Sequence, residues 1–180
     1  DVEACKWSNI TDVDFALADD YPWTLGQFVW TGFDYLGEPS PYDTDSWPNH
    51  SSMFGIIDLA SIPKDRYWLY RSVWNTDSPT LHIVPHWTWP GREGEVTPVY
   101  VYTSWPVAEL FVSGVSMGRR SKAVPDHPCE GLQEENVEGR YRLMWDNVVY
   151  HKGEIRVVAY DADGNPAASE SVCTAGKPYT

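Results

Sequence analysis

The sequence predicts an α+β protein in two parts, a mixed helical segment followed by an antiparallel β-sandwich. The first 78 residues carry two stretches with helical spacing and one continuous apolar run between them. The rest of the chain carries six short segments rich in β-branched and aromatic residues, separated by turns. A polar run at 76–78 followed by Pro79 is typical of a linker, so we predict domains at 1–78 and 79–180.

The first part is predicted to run helix, strand, loop, helix. Residues 11–14 (TDVD) resemble a capping box, and apolar residues then recur at helical spacing. The run at 27–31 (QFVWT) is apolar without alternation, which is typical of a strand buried on both faces, as in a parallel sheet. A loop from Gly32 to about Leu59 follows. A second helix is predicted from about Ser61, with Pro63 in its first turn.

The second part is predicted to be all strand. Several of its segments alternate, as in 140–145, where Tyr141, Leu143 and Trp145 would share one face and the two arginines and Met144 the other. Short alternating strands with regular turns indicate a two-sheet antiparallel sandwich. The predicted strands are 81–87, 97–104, 109–113, 140–145, 154–160 and 167–174.

Composition and charge exclude some classes of binding partner. The net charge of −13 would repel a polyanion, so we expect no nucleic acid and no acidic membrane surface as partner. No apolar run approaches the ~18 residues of a membrane span. The 10 Trp and 11 Tyr suit either packing in a large sandwich or stacking on the apolar faces of sugars.

Metal and cofactor chemistry are not indicated. His82 and His86 would lie ~13 Å apart on a strand that rises about 3.3 Å per residue, too far to share a zinc ion. The three cysteines, Cys5, Cys129 and Cys173, are odd in number and have no metal-type spacing. We therefore expect neither a metal site nor a cofactor.

Several motifs together resemble one enzyme family. Residues 28–39 (FVWTGFDYLGEP), 55–59 (GIIDL) and 63–74 resemble the last barrel strand, final loop and closing helix of glycoside hydrolase family 2, the β-galactosidase family. Residues 82–89, 108–114 and 145–150 are similar to the domain that follows the barrel in many bacterial members. The resemblance implies an incomplete piece of a (β/α)8 barrel at 1–78 and an immunoglobulin-like β-sandwich at 79–180.

The resemblance implies a retaining glycosidase that removes terminal β-linked galactose with two glutamates roughly 5–5.5 Å apart. The acid/base glutamate of that family follows an Asn, and this sequence contains no Asn-Glu dipeptide. The nucleophile belongs to a strand expected just before Asp1. A (β/α)8 barrel also takes about 250 residues. We therefore predict that this chain lacks both catalytic glutamates and does not hydrolyse glycosides alone.

The resemblance also implies partners and a location. The full-length enzyme would act on a β-galactoside or related oligosaccharide, and this chain would pack against the remainder of the catalytic barrel. A homo-oligomer is compatible with the predicted bracing role of the sandwich. Bacterial relatives of this kind imply a periplasmic or secreted protein.

Five residues of the first part are candidates for sugar contact. The Trp that matches Trp30 forms a wall of the sugar pocket in the family, and Trp30 would end the predicted strand at its carboxyl edge. Asp34 and Glu38 could bind sugar hydroxyls or hold the backbone amides of their own loop. Tyr35 and Trp47 could extend the stacking surface or pack within the loop.

Trp87 and Trp89 raise a separate hypothesis on the sandwich. Two residues apart, they share a face if the strand continues through them. Exposed, they would form a carbohydrate-binding strip, and the sandwich would be a carbohydrate-binding module. Buried, they would pack between sheets or domains. A sandwich that serves only as a structural or interaction domain is the remaining alternative.

Overall fold

The computed structural model describes residues 9–37, 51–130 and 137–177. Within these ranges the chain forms two α-helices, seven strands and one 3₁₀ turn, Glu138–Arg140. The helices are α1 (Thr11–Asp20) and α2 (Asp65–Trp74). The strands are β1 (Leu81–Val84), β2 (Val99–Thr103), β3 (Val107–Val112), β4 (Val115–Ser121), β5 (Arg142–Trp145), β6 (Glu154–Tyr160) and β7 (Pro166–Cys173).

The strands form two antiparallel sheets, one ordered β1-β2-β5 and the other β4-β3-β6-β7. In the three-stranded sheet, Val101 pairs with Ile83 on one side and with Leu143 on the other, so three apolar side chains form one row. In the four-stranded sheet, Leu110 of β3 pairs with Val157 of β6. The predicted pair of antiparallel sheets is confirmed.

The two sheets enclose the first hydrophobic core. Alternation builds it, since Ile155, Val157 and Ala159 of β6 are buried while the residues between them are partly exposed. Each fully buried aliphatic side chain of this kind stabilises the fold by about 1.5–3 kcal/mol relative to exposure. The buried members are Ile83, Trp87, Val99, Val101, Ala108, Leu110, Val112, Leu143, Trp145, Val148, Tyr150, Ile155 and Val157.

A second core covers the opposite face of the three-stranded sheet. Both helices contribute to it, and Phe15 of α1 packs edge-on against Tyr70 of α2 with ring centroids 5.3 Å apart. Val84 and Tyr102 contribute from β1 and β2. The three-stranded sheet is therefore covered on both faces, and the chain has three layers: helices, a three-stranded sheet and a four-stranded sheet.

Polar contacts hold α1 against the residues that precede β5. The Asp20 carboxylate accepts hydrogen bonds from Arg140 at 2.7 and 2.8 Å and from the Cys129 backbone N–H at 2.8 Å. Hydrogen bonding to Arg140 lowers the pKa of Asp20 below its ordinary value. The Tyr141 hydroxyl donates to Asp19 at 2.8 Å. The end of the first helix is thus tied to residues more than a hundred positions later.

The predicted strand at 27–31 is wrong. This segment is irregular, and the side chains of Phe28 and Trp30 are exposed. A strand needs hydrogen-bonded neighbours. Among the described residues, interstrand-type backbone bonds begin only at Thr31, which donates to Phe54 and accepts from Ile56. Trp30 therefore precedes a paired segment instead of ending a strand.

Both predicted helices are present, but each begins differently from the prediction. Thr11 is the first residue of α1 and makes no capping-box bond, because Ile10 occupies the capping position without a side-chain cap. The Asp14 carboxylate instead accepts a hydrogen bond from Asn9. Helix α2 begins at Asp65, and Pro63 lies before it in a bridge to Ile57. Neither described helix has the length and apolarity needed to cross a membrane.

Two details of the sandwich also differ from the prediction. Strand β4 was not predicted, because all seven of its residues are exposed and show no apolar alternation. Strand β5 begins only at Arg142, so Tyr141 belongs to the helix-facing core while Leu143 and Trp145 face the other sheet. The predicted shared face of these three residues is therefore wrong for Tyr141.

Candidate functional site

Two loop segments pair beside α2 and form a small platform, which we define as residues 31–36 and 51–57. Asp34 N–H donates to the Ile57 carbonyl at 2.9 Å, and Ile57 N–H donates to the Gly32 carbonyl at 3.0 Å. Ser52 N–H donates to the Tyr35 carbonyl at 2.9 Å. Backbone bonds at both ends thus hold the platform in one conformation.

Asp34 is buried at the centre of the platform, with its side chain 8% exposed. One carboxylate oxygen accepts hydrogen bonds from Gly55 N–H at 2.8 Å and Lys64 Nζ at 2.9 Å, and the other lies 2.7 Å from Lys64 Nζ. A Cβ at Gly55 would overlap the backbone of Phe33 and Asp34, so only glycine permits this approach. Of the two predicted roles for Asp34, this geometry favours holding the loop backbone.

Trp30 and Tyr35 lie together at the edge of the platform. Their rings pack edge-to-face, with centroids 6.3 Å apart and an interplanar angle of 84°. The Trp30 side chain is 74% exposed. An exposed indole supported by a second ring offers a flat apolar face beside an N–H donor, a combination that suits the C–H face and hydroxyls of a sugar.

Large apolar side chains are exposed in this part of the sequence. Exposed apolar surface often marks contact sites with other protein surface or with ligands. The large apolar residues that are exposed in the described ranges 23–37 and 51–62 are Trp23, Leu25, Phe28, Trp30, Phe33, Leu36, Met53, Leu59 and Ile62. These ranges therefore carry apolar surface suited to a further contact.

The other predicted contact residues are not brought together with Trp30. Glu38 and Trp47 lie outside the described residues. Trp87 is fully buried between the sheets, where its indole N–H donates to the His151 carbonyl at 3.0 Å and its ring packs against Tyr150. Strand β1 ends at Val84, before either tryptophan of the predicted strip. The exposed Trp87–Trp89 strip is thus wrong, because Trp87 belongs to the core.

Trp89 is only partly buried and lies in a different environment. Its ring stacks on His86 at 4.1 Å between centroids and lies 5.1 Å from the Arg92 guanidinium carbon. It packs against the inter-sheet core and borders a cavity of about 820 Å³ that residues of α2 and β2 also line. Trp89 thus lies at the junction of the helices and the sandwich.

His82 connects α2 with β7. Its ring stacks on Trp68 at 4.8 Å, and its two nitrogens lie 3.7 Å from carboxylate oxygens of Asp65 and Glu170. In the part of the chain that the structure describes, no group of three or more His, Cys, Asp or Glu side chains could hold a metal ion. The role that the geometry gives His82 is a contact between layers.

Sequence reasoning missed the residues that hold the platform. Lys64 and Gly55 fix the Asp34 carboxylate, but neither has a local sequence signal for this contact. Gly55 opens the GIIDL motif, and a glycine within an apolar segment is the one available hint of close backbone approach. The contact of Lys64 with a residue 30 positions away is visible only in the folded chain.

Comparisons with known proteins identify relatives of both parts. A family model described as "Domain of unknown function (DUF4982)" matches residues 94–168, within the sandwich. Beta-galactosidase BoGH2A of Bacteroides ovatus is 40% identical over 173 residues, which cover 96% of this chain. A solved glycosyl hydrolase family 2 member from Bacteroides cellulosilyticus has a TM-score of 0.72 and 26% identity over 89% of this chain and 23% of that chain.

Over nearly its whole length, the chain is similar to members of glycoside hydrolase family 2. A solved beta-glycosidase from Bacteroides vulgatus is also similar, with a TM-score of 0.74 and 36% identity, covering 95% of this chain and 19% of that one. A putative beta-glucuronidase of Formosa agariphila is 37% identical over 88% of this chain. The chain spans 18% of the Bacteroides ovatus protein and 14% of the Formosa agariphila protein.

Proposed function

We propose that this chain is the carboxyl-terminal part of a retaining, β-galactosidase-like glycoside hydrolase that acts on terminal β-linked sugars. Residues 1–78 would form the end of its (β/α)8 barrel, and residues 79–180 would form an immunoglobulin-like accessory sandwich. The match to Beta-galactosidase BoGH2A over nearly the whole chain supports a galactosidase. The match to a putative beta-glucuronidase makes the hydrolysis of β-glucuronides the alternative specificity.

The main observation in support of the proposal is the exposed Trp30 ring, which packs against the partly buried Tyr35. In the full-length enzyme this pair would form one wall of the sugar site. The platform beneath it is held by backbone bonds and by the buried contact between Asp34 and Lys64. A preorganised aromatic surface loses little conformational entropy when a sugar binds, which favours affinity and orientation.

The acids that break the glycosidic bond would come from the rest of the barrel. Two described carboxylates near the platform, Asp34 and Asp58, already bind the chain itself. Asp58 accepts hydrogen bonds from the N–H groups of Ala60 and Ile62, each at 2.8 Å. A carboxylate that caps its own loop is poorly placed to act as nucleophile or general acid. The exposed apolar surface around Phe28 and Leu25 would pack against the remaining barrel strands.

Substitution of Trp30 in the full-length enzyme tests the sugar wall. Trp30→Ala should lower kcat/KM for a chromogenic β-galactoside by about 10–100-fold, since an aromatic wall contributes about 1.5–3 kcal/mol when buried by substrate. Trp30→Phe should retain more activity than Trp30→Ala. The matched control is Trp105→Ala, on the β2–β3 turn, which should leave kcat/KM unchanged. Equal activity of Trp30→Ala and wild type would contradict the proposal.

The isolated 180-residue chain tests the location of the acids. It should release no product from the same chromogenic β-galactoside. Turnover that disappears when one carboxylate of this chain is changed to its amide would refute the proposal that the catalytic acids lie in the rest of the barrel.

We further propose, from the family resemblance, that the parent is a periplasmic or secreted bacterial enzyme, and that the sandwich braces the barrel or a homo-oligomer interface.

A further inference from the structure

Lys64, at the start of α2, is tied to the platform by both its backbone and its side chain. Its N–H donates to the Ile56 carbonyl at 2.9 Å, and its Nζ lies 2.7 and 2.9 Å from the two Asp34 carboxylate oxygens. The same Nζ lies 3.4 Å from the Met53 carbonyl oxygen. Lys64 thus contacts both segments of the platform, so the position of this end of α2 helps to determine where the platform lies.

The next residue, Asp65, contacts the sandwich. Its carboxylate lies 3.7 Å from Nε2 of His82 on β1. The His82 ring also stacks on Trp68, about one turn further along α2, with ring centroids 4.8 Å apart. The other ring nitrogen lies 3.7 Å from the Glu170 carboxylate of β7. His82 therefore contacts α2 at two points and connects this helix with both sheets of the sandwich.

Further hydrogen bonds hold the rest of α2 against the sandwich and the segment that leads into it. Arg71 donates to Thr80 Oγ1 at 2.7 Å and to Ser78 Oγ at 2.9 Å. The Ser104 hydroxyl donates to the Ser72 carbonyl at 3.1 Å. The buried side of the helix packs in the second core. A helix that is fixed at several points is a rigid connection between the groups at its two sides.

We propose that the sandwich positions the platform through the first turn of α2. His82 holds this turn from the sandwich side, and Lys64 at the same turn holds Asp34. His82 is therefore a positioning residue, which acts on the platform through other residues. The consequence for a sugar rests on the proposed function, because the platform carries the Trp30–Tyr35 pair. The inference goes beyond a bracing role, since it gives the sandwich control over the geometry of that site.

Amide protection factors of the ¹⁵N-labelled 180-residue chain test the proposal at the Asp34 and Ile57 N–H groups, which close the platform. At about pH 6, where histidine is largely protonated, His82→Gln should lower both protection factors by about two- to fivefold, as expected for a partly exposed ion pair. Lys64→Met should lower them by at least about tenfold, because it leaves the buried Asp34 carboxylate without its cation. The double variant should be no less protected than Lys64→Met alone.

Controls separate this coupling from a general loss of stability. The Val157 N–H, in the inner strand β6, reports global unfolding. His151→Gln removes an exposed imidazole from the β5–β6 connection and should leave the platform unchanged. The effect of His82→Gln should shrink from about pH 6 to about pH 8, since Asp65 and Glu170, the charged groups that face His82, attract only the imidazolium. Ring packing alone would not give this dependence on pH.

Three results would overturn the proposal. They are platform protection in His82→Gln equal to that in His151→Gln, effects that multiply in the double variant, and an equal loss of protection at Val157 and at the platform. None of them bears on the sugar wall, which Trp30→Ala tests separately in the full-length enzyme. The expected coupling together with normal activity of Trp30→Ala would support the positioning role and contradict only the proposed function.

Discussion

Arg142 of β5 forms a buried ion pair with Asp12 of α1, although 130 positions separate them in the chain. Arg142 Nε donates to one carboxylate oxygen at 2.9 Å, and its Nη2 donates to the other. Asp12 has no exposed surface, and Arg142 is almost as deeply buried. The first helix and the sandwich therefore share a bidentate pair that neither part could satisfy alone.

Removal of one member of this pair should be strongly destabilising. Asp12→Asn leaves the Arg142 charge buried without its counter-ion, which should lower the free energy of unfolding by about 3–5 kcal/mol. The urea midpoint, followed by circular dichroism, measures the change. Asp14→Asn on the same helix is the matched control and should cost less than about 0.5 kcal/mol.

Replacement of both members separates charge from packing. The double variant Asp12→Leu with Arg142→Met should be closer to wild-type stability than Asp12→Asn, because it leaves no buried charge. If Asp12→Asn proved no more costly than Asp14→Asn, the pair would not be what holds α1 to the sandwich.

The His82 contact should make stability depend on pH. Burial by itself disfavours the imidazolium, but the Asp65 and Glu170 carboxylates, 3.7 Å from the ring nitrogens, outweigh it and raise the pKa of His82 above its ordinary value. The stabilisation from this raised pKa is complete below the unfolded value of about 6.5 and is lost as pH rises through the folded value. The stability difference between wild type and His82→Gln should therefore shrink from about pH 6 to about pH 8.

Chemical denaturation of both proteins across that pH range measures the effect. The groups that face His82 are Asp65 from α2, Glu170 from β7 and the ring of Trp68. The variant Glu170→Gln should reduce the pH dependence, because it removes one of the two carboxylates. A stability difference that stays constant across the range would show that His82 does not titrate in it.

Gly55 should be essential for the platform. A Cβ there would overlap the backbone of Phe33 and Asp34 and approach the Ile57 carbonyl oxygen at 2.7 Å. Gly55→Ala should therefore open the platform and speed amide hydrogen exchange at Asp34 and Ile57 by at least about tenfold. Gly32→Ala is the control, since a Cβ at Gly32 meets no atom within 4 Å. Equal exchange in both variants would contradict the steric role of Gly55.

Burial of Trp87 predicts a structural role for this side chain. Trp87→Ala should lower the free energy of unfolding by about 3–5 kcal/mol through lost burial and a new cavity. Trp23→Ala removes a side chain that is mostly exposed and should cost less than about 0.5 kcal/mol in the isolated chain. Thermal unfolding compares the two. A Trp87→Ala protein as stable as Trp23→Ala would return Trp87 to the candidates for a surface strip.

Local pattern predicted much of the sandwich, because one face of each alternating strand meets the core. Strand β6 was predicted with its observed bounds, since Ile155, Val157 and Ala159 alternate with less buried residues. Strand β4 was missed because both of its faces are exposed, so burial left no periodic signal. The run at 27–31 was mistaken for a strand because its apolar residues suit burial that the described part of the chain does not provide.

The motif around Trp30 predicted an aromatic wall for a sugar, and that role stays a prediction. The structure shows that the Tyr35 ring packs edge-to-face against Trp30. The motif could not show that the Asp34 carboxylate accepts hydrogen bonds from Gly55 and Lys64, because no local sequence pattern links residues that are 21 and 30 positions apart.

The sequence by itself indicated the resemblance to glycoside hydrolase family 2, the two helices and the pair of antiparallel sheets, because motif, periodicity and turn chemistry are local properties of the chain. Only the tertiary structure decided that Trp87 is core, that Asp12 meets Arg142, and that Trp89 and Thr97 line one cavity. Those outcomes depend on which faces of distant helices and strands pack together. Burial of apolar surface and pairing of buried charges, summed over the whole chain, determine that packing.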